Sequence, residues 1–296
     1  MMTLRELMET FPTEDACKKF LGEHRWPGGI VLCPRCESSE HVYELTKMKW
    51  HWECGRKECR KGHAFRFSII SGTVFENTKY PLRTWFEVLW SMLNAKKGIS
   101  AKQIQRQIGC ASYQTAWYMC HRLRAAMMDD RFTKLMGIVE VDETYVGGKN
   151  KNRHWDKKVS GRGTSGKTAV IGAISRKGNV IAKMIEATDV ETLEGFVRDT
   201  VDKKVQLVVT DDHSGYDNLK DHGFTHESVR HSQKEYVRGL AHTGHIESFW
   251  SLLKRGIMGN FHHVSKDYLP LYLNEFVFRY NNRHNEEIFG TAIAGC

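Results

Sequence analysis

The chain has 296 residues, 41% hydrophobic and 27% charged, a composition of ordinary globular proteins that excludes wholesale disorder. Its 44 Lys and Arg against 35 Asp and Glu leave a net charge of +9, which favours a polyanionic partner. No run approaches the roughly 18 apolar residues of a membrane span. The start, Met1-Met2-Thr3-Leu4-Arg5-Glu6-Leu7, lacks a signal-peptide core, so a cytoplasmic location is expected, with no membrane partner.

Three parts are read along the chain. Residues 1–78 hold a short helix near Thr13 to Gly22, followed by short β segments rich in Tyr, Trp and Phe. Within them lie two cysteine pairs, Cys33-Pro34-Arg35-Cys36 and Cys54-Gly55-Arg56-Lys57-Glu58-Cys59. Eight cysteines in a long chain without an export signal point to metal and reduced thiols, not to a disulfide framework. Two short-loop pairs separated by a hairpin length supply the four ligands that tetrahedral zinc requires. A closed Cys33, Cys36, Cys54, Cys59 site is therefore expected to hold structural Zn²⁺, with His51 and His63 close enough to substitute. Arg35, Arg56, Lys57, Arg60 and Lys61 surround it and suit phosphate contact.

Residues 79–134 read as helices. Leu82, Trp85, Phe86, Leu89, Trp90 and Leu93 recur at three- and four-residue spacing. Ser100 can cap a second helix, Gly109 breaks it, and Ser112 can cap a third. The pair has helix–turn–helix length, with Tyr113, Gln114 and Tyr118 offered to a groove and His121, Arg122 and Arg124 further along. Core packing alone is the competing reading of such a pair.

Residues 135–296 turn α/β. A strand 137–142 is expected to end at Asp142, followed by a glycine-rich basic loop carrying Lys149, Lys151, Arg153, Lys157, Lys158, Arg162 and Lys167. Thr168–Ile174 and Val180–Ile185 read as a hairpin. Thr188 with Glu191 makes a capping-box pattern opening a helix. A strand 205–210 delivers Asp211, with Asp212 as its adjacent rival. A further strand is read near 225–230, and helices from 241 onward. In the helix His245–Arg255, Ile246, Phe249, Trp250 and Leu253 form the apolar face, and Glu247 and Lys254 fall two turns apart on one stripe. Two carboxylates leaving strand ends and a third from a helix have the makings of a site for two hard cations, which clamp the oxygens of a phosphodiester.

At these residues the chain resembles a bacterial insertion-sequence transposase of the DDE superfamily, in the zinc-ribbon group related to Merlin elements. The resemblance runs through Arg25-Trp26-Pro27, Ser71-Gly72-Thr73-Val74-Phe75, Trp117 to Arg124, Val141-Asp142-Glu143-Thr144-Tyr145-Val146-Gly147-Gly148-Lys149, Thr210-Asp211, His242-Thr243 to Arg255, Phe261 to Ser265 and Arg279-Tyr280-Asn281-Asn282-Arg283. It implies an α/β (α+β) chain: an RNase H-like catalytic domain with a mixed sheet, preceded by a zinc ribbon and a helix–turn–helix-like module. It also implies a catalytic set of Asp142, Asp211 and Glu247 with Lys254 as the basic follower, holding two Mg²⁺, with Mn²⁺ as the substitute. Glu140, Glu143 and Asp212 are then supporting groups.

The chain departs from the family at two places. Some members carry Asn near the start of the Glu247 helix, where this sequence reads Thr243-Gly244-His245-Ile246-Glu247, so His245 can also approach the metals. The second cysteine pair is wider than the usual two-residue spacing. The chemistry implied is strand cleavage at element ends, followed by attack of the liberated 3′-hydroxyl on target DNA. Double-stranded DNA is the expected partner, and two ends handled together call for a homodimer or higher synaptic complex in a bacterial cytoplasm, at the nucleoid. The rival readings are another RNase H-like nuclease, such as a resolvase, and a non-catalytic DNA-binding derivative.

Overall fold

Residues 2–128, 133–148, 166–176, 178–229 and 239–296 are described by the computed structural model. The chain divides into two compact units, Met1–Met128 together with Asn285–Cys296, and Asp129–His284.

The first unit opens with α1 (Leu4–Thr10) and α2 (Glu14–Arg25). Thr3 and Glu6 close a reciprocal capping box on α1, and the Thr13 hydroxyl accepts the Ala16 N–H to start α2. A three-stranded antiparallel sheet follows, β1 (Val42–Glu44), β2 (His51–Cys54) and β3 (Phe65–Ser68), in that order. Arg25 ties α2 to the segment after β3 by donating to the carbonyls of Ile69 and Ser71. That contact accounts for two of the sequence motifs at once. Gly72 beside it takes a φ of 75°, a left-handed value that suits glycine.

Three helices come next: α3 (Leu82–Asn94), α4 (Ala101–Ile108) and α5 (Tyr113–Ala126). Ser100 and Ser112 cap α4 and α5 through Gln103 N and Gln114 N, and Gly109 ends α4 in the left-handed region at φ 65°. The final helix α9 (Ile288–Ala294) belongs to this unit and not with the α/β part that precedes it. Its Phe289 joins Phe11, Phe20 and Phe86 in an aromatic cluster with ring centroids 4.9–6.1 Å apart.

The second unit is built on a mixed five-stranded sheet of order β6-β5-β4-β7-β8. Strands β4 (Ile138–Val146), β5 (Thr168–Ser175) and β6 (Val180–Ile185) form an antiparallel meander. Helix α6 (Val190–Thr200) then crosses to β7 (Leu207–Asp211), which runs parallel to β4 and to β8 (His226–Val229). One face packs α6 through Val139, Val141, Leu193, Val197 and Tyr216. The other packs α7 (Gly244–Gly256) and α8 (Leu269–Asn281) through Val170, Ile174, Ile246, Phe249, Trp250, Leu253 and Phe276. This α+β sandwich around a mixed sheet is the RNase H-like arrangement.

Two local expectations are corrected. The strand carrying Asp142 does not end there: Glu143-Thr144-Tyr145-Val146 continues β4, paired with β5 as far as Val146↔Thr168. The helix α6 is capped by Asp189, whose side chain accepts Thr192 N at 2.8 Å, and not by Thr188.

Candidate metal centre

Register brings the first two acids together. β4 and β7 are parallel with Glu140 opposite Val209, so two residues on, Asp142 comes level with Asp211. There β7 stops while β4 continues, leaving one flank of β4 open. Around that open flank the carboxylates of Asp142, Glu143 and Asp211 converge to within 4.8 Å of one another. Asp142 and Glu143 are consecutive strand residues that start from opposite faces of the sheet. Only the missing neighbour lets both reach one place. Asp212 is exposed and stands outside this group.

Helix α7 supplies the next wall. Asp142, Glu143, Thr144, Glu247, Trp250 and Lys254 line one cleft of about 460 Å³. Glu247 lies outside the tight group of three, with its Oε1 accepting from the Thr243 hydroxyl at 2.8 Å. Lys254 is exposed two turns further along α7. His245 does not join this cleft; its Nδ1 lies 2.8 Å from Glu140 Oε1.

Each acid in the cluster has named support. Trp250 Nε1 donates to Asp142 Oδ2 at 3.1 Å, the Tyr216 hydroxyl donates to Glu143 Oε1, and His213 N donates to Asp211 Oδ1 at 3.2 Å. Burial, with the charges of Asp211 and Glu247, pushes the Asp142 carboxyl up to about 7. Burial, with the charges of Asp211 and Asp142, pushes Glu143 up to about 8. Hard oxygen donors that repel one another when ionised fit divalent cations of the Mg²⁺ type, since a cation removes the repulsion.

That electrostatic strain has a measurable sign. Unfolded Asp and Glu titrate near about 4, so from there to about pH 7–8 the metal-free native state holds more protons than the unfolded chain. The contribution of these two groups to stability is therefore present at low pH and lost as pH rises through that window. A divalent cation bound at these acids would offset the loss, so the rise in Tm on adding Mg²⁺ is expected to be larger at about pH 8 than at about pH 5. Equal Tm increments at both values in thermal melts would contradict this assignment.

Two supporting residues escaped the sequence reading. Trp250, on the apolar face of α7, packs in the core and also orients Asp142. Gly172 pairs directly with Asp142 across the β4–β5 ladder, and a Cβ there would lie 2.6 Å from Trp250 Cη2. Gly172→Ala is expected to displace the indole, costing about 1–3 kcal/mol by overpacking. Any metal-dependent activity should fall further, by about 10–100-fold, as on losing the partner of a metal ligand. Melting curves beside a cleavage assay separate the two effects; a loss that only tracks stability would mean that Trp250 does not orient Asp142.

In the first unit the four cysteines gather to within 4.8 Å, leaving His51 and His63 out. Cys33 and Cys59 Sγ are 3.7 Å apart, and Cys36 and Cys54 Sγ 3.9 Å. A zinc tetrahedron with Zn–S near 2.3 Å needs sulfurs about 3.8 Å apart, so the donor set fits zinc. Arg35 is committed locally, donating to the Cys59 carbonyl and stacking 3.5 Å over the Phe65 ring. Lys57, Arg60 and Lys61 remain on the surface.

Among the helix–turn–helix residues, Tyr113, Gln114 and Tyr118 are exposed. Arg122 is half-buried, its Nη2 donating to the Glu76 carbonyl and its guanidinium over Trp85. Arg124 and His121 are corrections: they are 2% and 5% exposed, in the core and not facing a groove. The reason is phase, because Arg124 lies one turn beyond Cys120 on the stripe with Ala116. Of the basic loop, Lys167 is half-buried against Gly147. Lys149, Lys151, Arg153, Lys157, Lys158 and Arg162 lie outside the described residues. Among the described residues no helix is long and apolar enough to cross a membrane.

A mixed RNase H-like sheet with acids gathered at adjoining strands, joined in one chain to a four-cysteine ribbon, is the class of architecture that the sequence resemblance implied. Residues 134–281 match the ISXO2-like transposase domain, and residues 12–62 match the transposase zinc-ribbon domain. The chain belongs to this family of insertion-sequence transposases with an N-terminal zinc ribbon. A protein of Halobacterium salinarum, described as an uncharacterized protein in transposable element ISH50, is 30% identical over 285 residues, 92% of each chain. Among solved structures, the Mos1 Strand Transfer Complex covers 70% of this chain and 73% of its own, at 14% identity and a TM-score of 0.31. The Mos1 transposase paired-end complex with left transposon end covers 69% and 76%, at 14% identity and a TM-score of 0.28.

Proposed function

We propose that this transposase binds the ends of its element and catalyses metal-dependent strand cleavage and strand transfer on double-stranded DNA. The observation that carries the reading is the convergence of Asp142, Glu143 and Asp211, with Asp142 and Glu143 also lining a cleft whose helical wall bears Glu247 and Lys254. Asp142, Asp211 and Glu247 are the proposed holders of two Mg²⁺ ions. When bound, such a pair supplies Lewis-acid stabilisation of the attacking and leaving oxygens of a phosphodiester.

The chain's own groups prepare that chemistry. Trp250 donates to Asp142 Oδ2 and so fixes the orientation of that carboxylate. The Thr243 hydroxyl donates to Glu247 Oε1 and orients that carboxylate. Lys254, exposed beside the cleft, offers an ammonium to the phosphate being cut. Gln114, Tyr113 and Tyr118 on α5 are the candidates for reading terminal sequence, and the ribbon cations Lys57, Arg60 and Lys61 for gripping backbone. The ribbon cysteines would hold one structural Zn²⁺. Lys149, Lys151, Arg153, Lys157, Lys158, Arg162 and Lys167 are proposed backbone contacts, and a dimer or larger assembly is proposed to pair two ends.

The test uses the full chain with end-labelled DNA from the flanks of its gene. Binding is expected without Mg²⁺ and nicking at the element terminus only with it. Binding with no nicking under any divalent cation would favour a non-catalytic derivative. Cleavage of branched structures in preference to element ends would favour a resolvase-type nuclease.

A further inference from the structure

Glu140 is wholly buried, yet it does not belong to the carboxylate cluster two residues further along its strand. A lone carboxylate in such a place must be fully satisfied. Its Oε2 accepts the backbone N–H of His245 at 2.8 Å and of Ile246 at 3.2 Å, both in the first turn of α7. Its Oε1 accepts from Arg176 Nε and from His245 Nδ1, each at 2.8 Å, with His242 Nδ1 at 3.4 Å. Arg176 in turn donates through Nη2 to the carbonyls of Leu240 and His242, on the segment that leads into α7.

This arrangement replaces an ordinary helix cap. The first N–H groups of a helix need acceptors, commonly from the residue at its N-cap. Thr243 holds that position in α7 but makes no capping bond, and its hydroxyl is turned to Glu247 Oε1 instead. The acceptor comes from β4, from the residue that shares a face with Asp142. One strand thus carries both the first acid and the anchor of the helix bearing the third.

We infer that Glu140, locked by Arg176, is a positioning residue that sets Glu247 against Asp142 at the metal centre. The inference rests on the proposed metal-binding role of Asp142, Asp211 and Glu247. Glu140, His242 and His245 also have donor atoms within 4.8 Å, as a metal site would. The guanidinium of Arg176 lies 2.8 Å from Glu140 Oε1, however, and occupies the place that a cation would take.

The experiment is Mn²⁺ titration of the full-length, zinc-loaded protein by calorimetry, comparing wild type, Glu140→Gln, Glu247→Gln, the double variant and Asp142→Asn. Glu140→Gln is expected to weaken Mn²⁺ binding by about 10–100-fold, the range for the outer partner of a ligand. The double variant should bind no more weakly than Glu247→Gln alone, because the first residue acts through the second. Hydrogen exchange should show lost protection confined to the first turn of α7. Arg176→Gln is the second variant, read in the same way if Glu140→Gln does not fold. Wild-type Mn²⁺ affinity in Glu140→Gln, or a double variant weakened by the product of the single effects, would overturn the inference. So would a cation site lost in His242→Ala and retained in Asp142→Asn. If Asp142→Asn itself leaves Mn²⁺ binding unchanged, the metal reading fails as a whole; if it abolishes binding while Glu140→Gln does not weaken it, only the positioning role falls.

Discussion

Asp142→Asn should abolish nicking of element-end DNA while leaving the DNA-bound fraction in a gel-shift assay unchanged. The substitution keeps the side chain's size and its Trp250 contact, with the carboxamide oxygen accepting the indole N–H. What it removes is the charge that a hard cation needs. Loss of an outer partner of a metal ligand costs about 10–100-fold. Asp142 would itself be a ligand, so its loss should cost more than about 100-fold in rate. Stability should not fall, because replacing an acid held up to about 7 by burial and like charge with a neutral group relieves repulsion. A variant that melts at or above the wild-type temperature but does not cut is therefore the expected result. A variant that cuts as fast as wild type would remove Asp142 from the reaction.

The second large effect is expected at the ribbon. Its sheet has strands of three and four residues, too small to hold itself by burial alone. Structural zinc in such folds contributes about 10–16 kcal/mol, as much as the whole stability of a typical domain at about 5–15 kcal/mol. Stripping zinc with a chelator, or replacing Cys36 by Ser, should therefore unfold β1–β3. Amide exchange should become fast across Val42–Ser68 and stay slow across β4–β8, with about one zinc per chain lost by elemental analysis. Binding to element ends should fall in parallel if the ribbon grips DNA. Retained protection in the zinc-free protein would mean that the ribbon folds without metal.

Much of the architecture follows from local patterns. Ser100, Gly109 and Ser112 bound their helices where side-chain chemistry says they should. The Thr3–Glu6 box was equally legible and would have revealed α1. The end of β4 was not legible, since Glu143-Thr144-Tyr145-Val146 alternates like a strand whether or not a neighbour accompanies it. What opens the site is where β7 stops, a property of a segment about 65 residues away in sequence. The positions of Gly172, Trp250 and Glu140 around the acids are likewise tertiary facts without a spacing signature. One hint did exist: Glu140 sits between Val139 and Val141 in an apolar strand, where a charge demands a partner. Arg124 misled because its type suggested DNA, while its phase, one turn from Cys120, already pointed inward.

The central claim is that Asp142, Asp211 and Glu247 jointly hold divalent cations. Anomalous scattering from a crystal of the protein soaked in Mn²⁺ with bound end DNA tests it most directly. Two peaks about 3.5–4 Å apart among these three carboxylates are the expected result. Peaks confined to Glu140, His242 and His245, or none within reach of Asp142, would contradict it.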